Sequence, residues 1–281
     1  MSLMLGSSPF GQRPAGVFNT EAPQAKGLLY FEDSPRRIRA RFADETVVDS
    51  TRVKLLHEHG LIPIYYFPED DLRDELLEPT DHLTRCPHKG EASHWSVRVG
   101  DRGAENAVWS YPDPVDEASA LAGYRAIHWD AMDGWLEEDE EAIVHARDPY
   151  HRIDVLDTSR HVKVMVEGEV VAETRRGKVL FETGLPPRWY IPTEDVNTDL
   201  LAQSDNRTGC AYKGFADYRS VRAGGVEEVD LVWTYPEPRR EVEPIVGMLA
   251  FFNERVELEI DGELQERPRT RWSRGERRAL T

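Results

Sequence analysis

The chain has 281 residues, 40% hydrophobic and 31% charged, enough for one large domain or two ordinary ones with a buried core. Acidic residues outnumber basic ones 52 to 35, a formal net charge of -17, which argues against a general nucleic-acid coat or a polybasic membrane patch. Two cysteines are too few for a disulfide scaffold or a four-thiolate zinc site, and no apolar run reaches the roughly 18 residues of a membrane helix.

Residues 1–29 are poor in charge and rich in Gly, Ser and Pro. They read as an extended arm, ordered only where it packs on a domain. They lack the basic start and sustained apolar stretch of a secretory signal, so the expected compartment is the cytoplasm, with Cys86 and Cys210 reduced. A first repeat is expected over 30–145. It opens with alternating Arg37-Ile38-Arg39-Ala40-Arg41-Phe42, which turns and resumes at Val47-Val48 as a hairpin. Short strands are expected at Ile62–Phe67, Ser93–Val99 and Ala107–Tyr111, a glycine turn at Lys89-Gly90, and one short helix at Val115–Ala122. The acidic run Glu137 to Glu141 reads as a solvated face.

A boundary falls near Ala146 to Ile153, and a second repeat is expected over 153–263. Its hairpin spans His161 to Val171 with a turn at Gly168, followed by strands at Arg188–Ile191, Tyr218–Ala223 and Leu231–Tyr235. A short helix at Val242–Leu249 and a strand at Val256–Ile260 complete it. Residues 264–281 form a basic tail carrying Arg267, Arg269, Arg271, Arg274, Arg277 and Arg278. It reads as solvated, or as a contact for an anionic partner or for the protein's own acidic surface.

The two halves align at a constant offset of 124 without a gap. From 60 to 114 they share 23 identities in 55 pairs, where chance gives about 3 to 4. A unit of this size is a duplicated domain and not a solenoid repeat. The charge is divided unequally: residues 1–150 carry 15 basic and 28 acidic side chains, residues 151–281 carry 20 and 24. The two halves are expected to pack on each other as a pseudo-symmetric pair.

Four features recur in both halves. They are Thr84, Cys86 and Lys89 with Thr208, Cys210 and Lys213; Tyr65-Tyr66 with Trp189-Tyr190; Trp109 and Tyr111 with Trp233 and Tyr235; and Glu58 with Glu182. A Trp and a Tyr two apart on a strand share one face, so the rings can wall a cleft with Lys and Cys near its mouth. An aromatic wall with a few convergent polar groups is the usual make-up of a small-ligand pocket. The candidate ligand-binding residues are therefore Glu58, Tyr66, Cys86, Lys89, Trp109 and Tyr111, with Glu182, Tyr190, Cys210, Lys213, Trp233 and Tyr235. Matched rings and cysteines equally suit a shared core.

Cys86 with His82, His88 and His94 is the only dense group of metal-ligand types. Its second-half partners include Asn206, Tyr212 and Tyr218, so no metal is expected, and no cofactor. A Cys–His pair using His88 could serve one half only. The chain has no phosphate-cradling glycine loop and no Gly-x-Ser-x-Gly elbow.

The strings Thr84 to Gly90, Trp109 to Pro114 and Tyr66 to Pro68, repeated at Thr208 to Gly214, Trp233 to Pro238 and Tyr190 to Pro192, resemble the domain-of-unknown-function 427 family. The resemblance covers roughly 30–140 and 153–263. It implies a mainly β architecture of tandem β-tent domains, antiparallel sheets meeting around a cleft, with one short helix each. Related tent folds include the cereblon thalidomide-binding domain, whose aromatic cage holds a small cyclic ligand. They usually carry a four-cysteine zinc site, which one cysteine per repeat cannot rebuild. The family also has a nucleotidyltransferase-like label; the chain lacks the paired carboxylates after a Gly-Ser turn which that chemistry uses. The expected function is binding of a small molecule, of unstated identity, in one or both clefts. The alternatives are a transferase-type enzyme using Cys or Lys, and an acidic protein-interaction module. Neither nucleic acid nor membrane is an expected partner.

Overall fold

The computed structural model describes residues 3–19 and 27–279. The chain divides into two compact units, Met1–His151 and Arg152–Thr281, one per predicted repeat.

The first unit contains strands β1 (Leu29–Asp33), β2 (Ile38–Phe42), β3 (Glu45–Ser50), β4 (Lys54–Glu58), β5 (Ile64–Pro68), β6 (Leu77–Cys86), β7 (Gly90–Val99), β8 (Arg102–Ser110), β9 (Tyr124–Ile127), β10 (Gly134–Glu137) and β11 (Glu140–Ala142). They form a large sheet in the order β1-β4-β5-β9-β8-β7-β6 and a small one in the order β11-β10-β2-β3. Every pairing is antiparallel.

The second unit repeats this with β12 (Ile153–Asp157), β13 (Val162–Val166), β14 (Glu169–Thr174), β15 (Lys178–Glu182), β16 (Arg188–Pro192), β17 (Leu201–Cys210), β18 (Gly214–Ala223), β19 (Val226–Thr234), β20 (Met248–Phe251), β21 (Glu257–Ile260), β22 (Glu263–Leu264) and β23 (Arg277–Ala279). Its large sheet runs β12-β15-β16-β20-β19-β18-β17, with β23 added beside β19, and its small sheet runs β14-β13-β21-β22.

Strand alternation assigns each residue of the large sheet to one of two environments. In the first unit Leu55, Tyr65, Phe67, Val97, Val108 and Ile127 face the small sheet and share a core with Ile38, Ala40, Phe42, Val47 and Val48. Leu56, Tyr66, Ala92, Trp109, Tyr111 and Ala126 take the opposite face and form a separate cluster, covered by Ala118 and Leu121. In the second unit the corresponding residues of both faces join one continuous core.

The expected short helices are 3-10 turns. One is Asp116–Leu121, inside the predicted span. The other is Arg240–Ile245, after which the chain is extended over Met248–Phe251. The fully buried run Met248-Leu249 continues the apolar spacing of Val242 and Ile245, which imitates a helical period; Pro244 and the positive φ of Gly247 end the turn. Strands β6 and β17 escape the sequence reading because they are mostly exposed and lack alternation.

Three further expectations are corrected or filled in. Glu137 is not on a solvated face: its carboxylate accepts hydrogen bonds from Tyr65 Oη at 2.7 Å and Arg36 Nη1 at 2.8 Å inside the first unit. The arm packs on the first unit, with Met4 buried and its carbonyl accepting from Gly60 N–H at 3.0 Å; the remainder of the arm, residues 20–26, lies outside the described residues. The basic tail docks on the second unit. Arg277 pairs with Glu167 at 2.8 Å, and β23 adds a strand to Val226–Glu228.

Candidate functional site

All twelve candidate residues gather, six in each unit. In the first unit Lys89 sits at the tip of the β6–β7 hairpin, and its Nζ donates to Glu58 Oε1 on β4 at 2.6 Å. Strands β4 and β7 are four places apart in the sheet, roughly 19 Å if it were flat. The sheet must therefore curl until the hairpin tip reaches back towards the β1 edge. Lys89 Nζ also lies 5.5 Å from the centre of the Tyr111 ring. Tyr66 meets Trp109 edge to face at 6.2 Å, and half-buried Cys86 packs on the same cluster.

The two sequence strings interlock here. Val115 N–H donates to Lys89 O at 3.2 Å, which ties the end of the Trp-x-Tyr-Pro-x-Pro segment to the hairpin tip. Gly90 has φ +106 and would place a Cβ 3.2 Å from Asp113 O; Gly214, φ +98, would meet Glu237 O at 3.1 Å. Only glycine satisfies both the backbone angle and this close approach.

The second unit builds the same cluster. Lys213 Nζ donates to Glu182 Oε2 at 2.5 Å, and Tyr190 and Trp233 meet edge to face at 6.3 Å. Burial by itself lowers the Lys213 pKa, but the Glu182 carboxylate together with Cys210 and Tyr190 outweighs it and holds the amine above its ordinary value. Tyr235 is pushed well above the phenol range, chiefly by burial. The copies differ at the phenol below the indole. Trp233 Nε1 donates to Tyr190 Oη at 3.1 Å, whereas buried Tyr66 Oη closes no hydrogen bond of normal geometry.

The rings are buried and do not stand in an open trough. Access differs at the seam where the curled sheet nearly meets itself. In the first unit a cleft of about 460 Å³ opens there, lined by Gly27, Leu28 and Leu29 on one side, Pro87 and His88 on the other, with Val115 and Glu117. In the second unit β12 packs on the Arg240–Ile245 turn at the corresponding place.

Sequence reasoning passed over two further clusters. In the first unit fully buried His57 bonds to Glu32 Oε1 at 2.8 Å and lies 3.6 Å from Asp148 Oδ2, with Tyr150 Oη donating to Glu32 Oε2 at 2.8 Å. Burial alone would lower the His57 pKa; the Asp148 and Glu32 carboxylates reverse this and raise it. In the second unit Arg188 forms a bidentate pair with Glu254, both bonds at 2.7 Å, within a cage of Trp233, Phe252 and Trp272. The available signal was mismatch within a matched frame: His57 stands opposite Phe181, Ile64 opposite Arg188, and His128 opposite Phe252. Among the described residues no group of three or more His, Cys, Asp or Glu side chains is placed to hold a metal ion, and no helix is long and apolar enough to cross a membrane.

The family model described as a domain of unknown function (DUF427) matches residues 30–138 and again 154–262. No curated protein matches the chain.

Proposed function

The chain belongs to the DUF427 family, as two tandem copies, and on that basis we propose that its first copy binds a small molecule at the seam between β1 and the β6–β7 hairpin. The observation that carries this reading is the contrast between the copies. Both build the buried lysine–glutamate pair and its rings, but the cleft of about 460 Å³ lies over the first. A cleft of that size suits a metabolite-sized ligand. His88 and Glu117 on its lining supply polar contacts, Leu29 and Val115 an apolar side, and Lys89, Glu58 and Cys86 the adjoining polar groups.

The cluster serves this ligand as a rigid backing. The Lys89–Glu58 bond fastens the hairpin tip across the sheet and so fixes the spacing of the two cleft walls. An enzymatic reading through lysine has less support. A lysine nucleophile needs a free lone pair, and the Lys89 and Lys213 amines are each held by a carboxylate at hydrogen-bond distance.

The test is a thermal-shift screen of metabolites and nucleotides against the full chain, with each hit repeated on His88→Ala and Glu117→Ala. A ligand that binds the folded state raises the melting temperature. Hits that lose their shift in these variants support the seam. A screen without hits, or hits indifferent to both substitutions, would overturn it.

A further inference from the structure

A stack of rings is complete in one copy and one layer short in the other. In the second copy Trp233, Phe252 and Trp272 follow one another as tilted rings, with 4.6 and 6.2 Å between centres and 47° and 30° between planes. The top layer, Trp272, is delivered by the C-terminal segment. The first copy repeats the lower two layers as Trp109 and His128, 4.4 Å apart, and His128 is exposed.

The positions around this stack differ in how far they are repeated. Three that hold the tail as a peptide are not. Glu167 and Glu228 pair with Arg277, and Arg255 bonds to Glu228 and to Glu276 O; their first-copy counterparts are Ala43, Ala104 and Ala131. Those around the ring, Arg188 apart, are repeated as aromatic or acidic residues. Trp109 stands for Trp233, His128 for Phe252, His94 for Tyr218 and Asp130 for Glu254. Glu254 is occupied by Arg188 and by the tail's Thr270 Oγ1, which donates to it at 2.6 Å. Ile64 replaces that arginine, and Asp130 is exposed and enters no ion pair among the described residues.

We propose that the first copy binds a flat aromatic ligand on the outer face of His128, with an amine or N–H group of the ligand directed to Asp130, and that Trp272 occupies the equivalent position in the second copy. Three features favour a free ring over a second basic tail. Glu167 and Glu228, which clamp Arg277 of the tail, are alanines here, an exposed imidazole set at 35° against an indole offers its other face to a ring, and Asp130 favours a cation beside it. His94 pairs with Trp109 across the strands and borders the rings; its Nδ1–H donates to His82 O at 3.1 Å. Trp109, His128 and Asp130 do not line the seam cleft, so this site does not depend on it.

The probe is tryptamine, an indole carrying an amine, titrated into the full chain while the ring signals of Trp109 and His128 are followed by NMR. Saturable shifts at both are expected, with affinity about tenfold lower in His128→Ala, the loss of one good stacking contact. Asp130→Asn should weaken tryptamine but not indole. Trp272→Ala should add a second set of shifts at Trp233 and Phe252; if that variant loosens the second copy, the first-copy signals still report. Absence of saturable shifts at Trp109 and His128, or equal affinity in His128→Ala, would sink the proposal. His88→Ala, a seam variant, should leave tryptamine binding unchanged, which separates failure here from failure of the seam reading.

Discussion

The cluster around Lys89 and the cluster around Lys213 use the same residue types on matching strands, but their surroundings have diverged. In the first copy the seam holds a cleft, the Tyr66 hydroxyl makes no hydrogen bond of normal geometry and the run of rings ends at exposed His128. In the second copy β12 packs on the turn beside it, Tyr190 accepts a hydrogen bond, and Trp272 with Arg188 and Glu254 closes the stack. The difference teaches that the buried cluster is chiefly the frame. What varies between the copies is what covers it.

The largest expected effect breaks the cover of the second copy at one position and leaves the first untouched. Glu254→Gln removes the carboxylate from a pair in which Arg188 is also buried, stranding a cation in an aromatic cage. It should cost about 3–5 kcal/mol. The matching Asp130→Asn, at an exposed site, should stay within about 0.5 kcal/mol. Urea unfolding of the full chain measures both. Similar costs at the two positions would mean the covers are equivalent after all.

A pH comparison is expected to have a smaller effect, confined to the first copy. His57 has no counterpart, since Phe181 stands in its place. Its folded pKa is raised, so the stability it contributes is fully present below the ordinary imidazole value of about 6.5 and is lost as pH rises through the higher folded value. Buried His94 acts in the opposite sense. Burial holds it below its ordinary value, so its protonation opposes folding as pH falls. The informative quantity is therefore wild type minus His57→Gln, which should be largest at acidic pH and shrink above about pH 6.5. A difference that is flat or grows with pH contradicts the charge assignment.

How much of this the sequence discloses follows from strand parity and the repeat. The spacing of Trp109 and Tyr111, Tyr66 and Glu58 places them on one face, and the duplication states that the arrangement occurs twice. Neither reveals the curl that brings Lys89 to Glu58, because curl is set by how strands far apart in the chain pair. Nor do they reveal burial. An aromatic pair on a strand reads alike whether it lines a trough or, as here, packs beneath a 3-10 turn bearing Ala118 and Leu121. Trp272 lies outside the matched segments, so alignment of the copies could not show that it caps one of them.

The smallest effect sharpens the comparison at a single hydroxyl. Tyr66 and Tyr190 occupy the same place beneath the same indole, both with phenols raised chiefly by burial. Tyr190 Oη accepts the Trp233 N–H at 3.1 Å, so Tyr190→Phe strands a buried donor and should cost about 1–2 kcal/mol. Tyr66 Oη is buried beside the Trp109 indole without a bond of normal geometry, so Tyr66→Phe should cost less than Tyr190→Phe, from nothing to about 1 kcal/mol by urea unfolding. If a small ligand of the first copy supplies the missing partner, the order reverses in its presence: Tyr66→Phe then weakens binding while Tyr190→Phe does not. A Tyr66→Phe cost equal to that of Tyr190→Phe without ligand would show that the two phenols are equally satisfied, and this difference between the copies would disappear.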